Sequence, residues 1–380
     1  MPTRGRHIGL KGLQVESCRL SFHLYPETFN MKLGFLIYGS LDTLSGGYMY
    51  DRMLVDYLRQ QGDTVEIISL PWRNYASHLT DNFTFALPHG LDILIQDELN
   101  HPSLIGANRR PHPYPIVSLV HHLRCSELRP KWQNDLYRVV EKKYLQSVDG
   151  FIFNSETTRG VVRGLLAGNH LPEVVAFPPT DRFGEAISEE EIIERAKRKE
   201  LNILFLGNVI ERKGLITLLQ ALTQLTTANY RLNIVGGLTA EPEYVTSIQT
   251  YIANNDLSSF VFLHGALNNQ PLVEQLESAH VLVVPSSYEG FGIVYLEGMG
   301  FGLPAIGTTA GAAGEVIEEG VTGFLIQPGD AQGLADRLKV LNEKRDLLLQ
   351  MSLAARSRYL RQPTWKETAG RIREFLRSFL

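Results

Sequence analysis

Residues 280–300 read "HVLVVPSSYEGFGIVYLEGMG". The first six are a continuous apolar run, which suits a strand covered on both faces, and the serines and glycines that follow mark a turn. From Ile293 onward the chain runs as a short helix, so the stretch reads as strand, Gly-bearing turn and helix. In an open parallel sheet such a turn lies at the carboxyl edge, where ligands bind. Glu289 stands at the end of the strand and Glu297 a little over one turn into a helix that starts near Gly292. Glu297 then shares a side with Ile293, four residues earlier, and both carboxylates can face one crevice. The glycines let backbone approach a ligand, and the helix start offers unpaired N–H groups to an anion such as a diphosphate. The turn alone does not decide, because Gly-rich strand-to-helix turns are common and a glutamate in a first helical turn is favourable without any ligand.

The same alternation extends in both directions. A first series of strands reads "KLGFLIYG", "TVEIISL", "LDILIQD", "YPIVSLVHH" and "GFIFNS"; a second reads "LNILFLGN", "YRLNIVGG", "FVFLHG", "HVLVVPS", "LPAIGTT" and "GFLIQ". Each matches the strand number of one doubly wound α/β sheet. Between the series, residues 177–200 hold a Pro-Pro turn and the charged run "EEEIIERAKRKE", read as a short surface helix whose charges complement its dipole. These features set expected domains at 31–178 and 201–362 with a linker at 179–200. After the last strand, two helices are expected, separated at Pro363, the second filling residues 363–380.

A chain of 380 residues fits two domains better than one, and with 44% hydrophobic residues, 21% charged residues and a net charge of -4 it has the composition of a soluble globular protein. A phosphate-backbone binder would carry a basic excess, so no nucleic-acid partner is expected. Two cysteines, Cys18 and Cys125, exclude a disulfide framework and a cysteine zinc site. The apolar runs are too short to span a bilayer. Residues 1–30 carry Arg4, Arg6, Lys11 and Arg19 without a continuous apolar core, which argues against a secretory signal; a disordered or mis-annotated extension before Met31 and a cytoplasmic location are expected.

A second turn carries the chemistry further. In "LFLGNVIERKGL", residues 204–215, a strand ends at Gly207 and a helix begins near Gly214, with Arg212 and Lys213 between. Cations there neutralise phosphate without a metal. Neither a Walker A loop nor G-x-G-x-x-G is matched, since Tyr295 stands where the last glycine of the latter would be.

Glu289 and Glu297 in "EGFGIVYLEGM", the "GNVIERKG" turn, and "GAAGEVIEEGVTGFLIQPGD" at 311–330 together resemble the donor site of retaining GT-B glycosyltransferases of family 4, the glycosyl transferases group 1. The resemblance implies a GT-B fold: two Rossmann-like domains facing a cleft, the C-terminal helix returning to the N-terminal domain. It also implies transfer of a hexosyl group from a UDP- or GDP-sugar to a hydroxyl of a glycan, lipid or small molecule, with retention. Glu289 resembles the glutamate that binds donor-sugar hydroxyls, and Glu297 the one that holds the ribose. Phe291, Gly292 and Ile293 resemble the amides that face the diphosphate, and Lys213 the lysine on the leaving phosphate. Many relatives place an arginine where this chain has Asn208 beside Gly207; Arg212 is the candidate to carry that charge.

In the amino-terminal half, Gly46 and Gly47 follow the first strand, where backbone can approach the donor phosphate or acceptor. His121 and His122 end a strand, and strand alternation allows only one of them to reach the cleft; the resemblance favours His121 near the reacting sugar and leaves His122 open. Arg124 and Glu127 are candidates for the acceptor side, and Glu315 for a helix cap beside the sugar pocket. No D-x-D pair occurs, so neither a metal nor another cofactor is expected. "RPKWQNDLYRVVEKKYL", residues 129–145, is either a solvated helix face or a peripheral membrane contact. The rival readings are an epimerase or phosphorylase on the same architecture, and a sugar-nucleotide binder without turnover.

Overall fold

The computed structural model describes residues 30–43, 45–168, 170–179, 181–225, 229–268 and 270–380; the extension expected at residues 1–30 lies, except for Asn30, outside those described. Two six-stranded, wholly parallel sheets organise the chain. The first contains β1 (Lys32–Tyr38), β2 (Thr64–Leu70), β3 (Ile93–Asp97), β4 (Ile116–Val120), β5 (Gly150–Phe153) and β6 (Glu173–Val175), in the order β2-β1-β3-β4-β5-β6. The second contains β7 (Leu201–Leu206), β8 (Tyr230–Val235), β9 (Val261–Gly265), β10 (Val281–Val283), β11 (Ala305–Thr308) and β12 (Gly323–Ile326), in the order β12-β11-β10-β7-β8-β9. Strand order reverses between β1 and β3 in one sheet and between β7 and β10 in the other. Both reversals open crevices at the carboxyl ends of the strands.

The apolar runs form strands because both faces are covered. Leu33, Phe35 and Ile37 of β1 join one core and Leu36 and Tyr38 another, as a period of two requires. Strand β6 escaped the sequence reading: it has three residues, at a sheet edge, too few for an apolar run.

Three helices, not two, follow β12: Ala331–Glu343, Arg345–Leu360 and Trp365–Arg377. The extra break falls at Lys344, whose backbone (φ -107, ψ 76) leaves the helical region within a charged run that contains neither glycine nor proline. The last helix crosses back to the amino-terminal sheet, where Trp365, Ala369, Ile372 and Leu376 share a core with β1. Arg373 fixes it by a two-pronged contact to the buried Asp63, at 2.7 and 3.0 Å. The linker helix Glu189–Ala196 has its expected acidic start and a capping box between Ser188 and Glu191. It is not a simple surface helix: Ile192 is buried, and the buried Arg195 donates to the Gly302 carbonyl at 2.9 Å.

Candidate functional site

The turns after β7 and β10 meet at the reversal of the second sheet. Glu289 is buried there, its Oε1 contacted by Lys213 Nζ and by the Ser286 hydroxyl at 2.6 Å. Burial alone would raise the Glu289 carboxyl; Lys213 and then Arg212 outweigh it and hold the group at about 2. Burial lowers the Lys213 ammonium, with Glu289 opposing. Arg212 lines the same wall but donates from Nη1 to the Tyr288 carbonyl at 2.8 Å, so part of its guanidinium binds the turn itself. The Lys213 stem runs over Gly207, where a Cβ would sit 3.6 Å from Cε. Asn208 Oδ1 accepts from the Gly237 amide at 3.1 Å, tying the loop after β7 to that after β8.

The helix Ile293–Gly300 begins where the sequence placed it, with Gly292 at φ +92 in the left-handed region before it. Phe291, Gly292, Ile293 and Glu297 all line the cleft. Glu297 is buried against Arg182, a partner from the linker that the sequence reading missed. Burial raises the Glu297 carboxyl, with Arg182 working against it. The only sequence signal for Arg182 was its place just after the Pro-Pro turn.

The opposite wall comes from the amino-terminal sheet. Gly46 and Gly47 open the helix Gly46–Gln60 behind the Ser45 cap. A Cβ on Gly46 would lie 3.7 Å from Ile293 Cδ1 across the cleft, and one on Gly47 3.3 Å from the His121 ring. Both His121 and His122 line the cleft, which corrects the expectation that one would turn away. Strand β4 ends at Val120, so the pair lies in the bend beyond it and strand alternation no longer applies. His121 Nε2 is 2.9 Å from Asp51 Oδ1, and His122 Nε2 is 3.0 Å from Glu127 Oε1. Burial would raise Glu127; His122 and Arg129 hold it at about 2. Arg124 also lines the cleft, its guanidinium over the rings of Tyr75 and Tyr137.

Together these walls enclose about 440 Å³, the size of a small-molecule site. The halves touch where a Cβ on Gly290 would stand 2.6 Å from the His121 carbonyl oxygen. Glu315 does cap a helix, but one from the other half: it accepts from the Glu156 and Thr157 amides at 3.0 and 2.7 Å. Asp51, Asp97 and Glu98 were also missed; Asp51 could have been noticed as a lone carboxylate on an apolar helix face. Among the described residues two clusters, Asp51–Asp97–His121 and Glu98–His101–Glu141, gather carboxylate and imidazole atoms within 4.8 Å. In each the imidazole is already hydrogen-bonded, His121 Nε2 with Asp51 Oδ1 at 2.9 Å and His101 Nδ1 with the Glu98 backbone carbonyl at 3.0 Å.

Among known proteins, residues 187–358 match the family described as Glycosyl transferases group 1. N-acetyl-alpha-D-glucosaminyl L-malate synthase of Bacillus anthracis is 32% identical over 155 residues, 40% of this chain and 39% of that protein. The chain spans less than two thirds of the length of this and the other first curated relatives it matches. Sucrose-phosphate synthase of Thermosynechococcus elongatus superposes with a TM-score of 0.77 at 18% identity, over 92% of this chain and 99% of that one. Alr3699/HepE of Anabaena, solved in complex with UDP-glucose, does so with a TM-score of 0.71 at 19% identity, over 92% and 100%. Among the described residues no helix is long and apolar enough to cross a membrane. The chain thus has the two-sheet fold of GT-B glycosyltransferases, and its residues 187–358 match the glycosyl transferases group 1 family.

Proposed function

We propose that the chain is a retaining, metal-independent glycosyltransferase of family 4 that moves a hexosyl group from a nucleotide sugar to a hydroxyl acceptor. The contact of half-buried Lys213 with buried Glu289 carries this reading, because it sets an ionised carboxylate and a cation side by side at the strand reversal where a helix N-terminus also points. As the bond from the anomeric carbon to phosphate breaks, negative charge grows on the diphosphate. Lys213, Arg212 and the first-turn amides of Ile293–Gly300 stabilise it. The Glu289 carboxylate accepts hydrogen bonds from sugar hydroxyls, and Glu297 from the ribose. The two glutamates therefore do not act as the acid and nucleophile of a glycosidase. The leaving phosphate oxygen takes the acceptor's proton on the face where the new bond forms. Closure of the two walls excludes water. That the Anabaena structure holds UDP-glucose supports a UDP-sugar donor.

Incubation with UDP-, GDP- and ADP-sugars, with and without EDTA, scored for nucleotide release and for product anomer by NMR, tests this. Release insensitive to EDTA, with the donor's anomeric configuration kept, is expected. An inverted product or a metal requirement overturns the corresponding part. Nucleotide release from the sugar without an acceptor points to an epimerase, and dependence on inorganic phosphate to a phosphorylase.

On the acceptor side we propose peripheral membrane contact. In the helix Lys131–Leu145, Trp132, Leu136 and Val139 are 68%, 55% and 53% exposed at i, i+4 and i+7, flanked by Lys131, Arg138, Lys142 and Lys143. Such a stripe suits the surface of anionic lipid. Co-sedimentation with phosphatidylglycerol vesicles should fall several-fold in Trp132→Ser/Leu136→Ser; equal binding by the variant refutes the contact.

A further inference from the structure

Carboxylates on two elements surround His121. Asp51, on the helix Gly46–Gln60, is fully buried; its Oδ1 lies 2.9 Å from His121 Nε2, and its Oδ2 is buried without a hydrogen-bond partner. Asp97 and Glu98, at the end of β3, are buried beside it, and Asp97 Oδ1 accepts from the Leu99 amide at 3.0 Å. Arg124, from the turn after β4, adds a positive charge that bears on Glu98. Thr158 Oγ1 lies 3.4 Å from the His121 carbonyl oxygen, and the backbone of Gly290 closes on the same carbonyl.

The ring itself is held from three directions. Asp51 takes Nε2, Tyr50 meets the ring edge-on at 5.5 Å, and Gly47 lies against Cδ2 so closely that a Cβ there would be 3.3 Å away. Cδ2 and Nε2 are adjacent ring atoms, so the opposite edge, with Nδ1, is left to the cleft that His121 lines.

We propose that Asp51, backed by Asp97, is a positioning residue that keeps His121 doubly protonated and aims its Nδ1–H into the cleft as a fixed hydrogen-bond donor to an oxygen of the bound substrate. The nature of that substrate rests on the glycosyltransferase reading; the holding of the charge does not. A neutral imidazole whose Nε2–H is given to Asp51 would present Nδ1 as an acceptor. Only the charged ring satisfies Asp51 and donates into the cleft. Burial by itself lowers the imidazole's affinity for a proton; Asp51 first, then Asp97 and Glu98, reverse this and place it at about 9. Burial and then Asp51 raise the Asp97 carboxyl, with His121 working against them.

The test is a pH titration of His121 by NMR on the full chain labelled in histidine, alongside steady-state kinetics. In the unaltered protein the ring should titrate well above pH 8; titration near or below 6.5 overturns the proposal, and this measurement needs no variant to fold. In Asp51→Asn the midpoint should fall by about two units. At pH 8 kcat should then drop about tenfold, as the charged fraction drops, with KM for the nucleotide sugar within twofold. Asp97→Asn should shift the midpoint the same way by less. Lost kcat with an unmoved titration means that Asp51 is merely structural and overturns the proposal, as does unchanged kcat with a lowered midpoint. If the midpoints move as expected while no form turns over any nucleotide sugar, the charge-holding stands and the glycosyltransferase reading fails.

Discussion

Lys213→Ala should lower nucleotide-sugar turnover by about a hundred- to a thousandfold, the scale for removing one preorganised group from a developing oxyanion. Lys213 carries a second role in the free protein, because it is the main cation that keeps Glu289 ionised against burial. Without it a buried carboxylate faces only the Ser286 hydroxyl and the more distant Arg212 charge. Breaking a buried pair from one side destabilises by roughly 3–5 kcal/mol, and Glu289 should then take up a proton at higher pH. The sign is that of a carboxylate lowered by folding. In the parent chain its contribution is fully present above the ordinary glutamate value of 4.5 and is lost as pH falls toward about 2. In Lys213→Ala that contribution is absent near neutrality. Urea unfolding at pH 7 and pH 3 checks this: the parent should lose stability between the two pH values through this group, and the variant should start lower and lose less. Turnover by Lys213→Ala within tenfold of the parent would remove Lys213 from the charge-stabilising role.

The second large effect is expected from Gly214→Ala, one methyl group that never touches the cleft. Gly214 has φ +69, and a Cβ on it would stand 2.1 Å from the Pro285 carbonyl oxygen. The turn bearing Lys213 thus lies flat on the backbone that leads into Ser286 and Glu289. An alanine must both hold a left-handed backbone and push the two turns apart, for a loss of about 2–5 kcal/mol. It should also separate Lys213 from Glu289 and lower kcat by roughly a hundredfold, since a displacement near 1 Å at a positioned group has that scale. Gly320→Ala separates the causes. Gly320 has φ +75 with no atom near a would-be Cβ, so it should lose only about 1–2 kcal/mol and no activity. Equal losses in the two variants would show that backbone strain, not the Pro285 contact, sets the effect.

Much of the donor wall was legible in sequence because its signals are local. A buried parallel strand reads as a continuous apolar run, and the turn after it must change direction within a few residues, so glycine and charge stand out there. The fold class and the helix start at Gly292 follow from such runs; the resemblance is what drew Glu289, Glu297, Gly207, Asn208, Arg212 and Lys213 together as one site, and all six line the cleft. Strand β6 and the break at Lys344 left no comparable trace. One is too short to show a period, and the other falls in a charged stretch with no breaking residue.

The partners of the buried charges are a different matter. Arg182 comes to Glu297 across 115 positions, Asp51 to His121 across 70, and Glu315 to the start of the helix Glu156–Leu166 across 159. Both histidines reach the cleft only because β4 stops one residue before them. By itself the sequence determined two parallel α/β sheets and the residue types at the strand ends, since hydrophobic period and turn chemistry act over a few residues. Which charge neutralises which, and which carboxylates surround a histidine at the cleft, only the tertiary structure decided. Desolvation and Coulomb attraction depend on what packs within a few ångströms, and the chain brings those neighbours from far along its length.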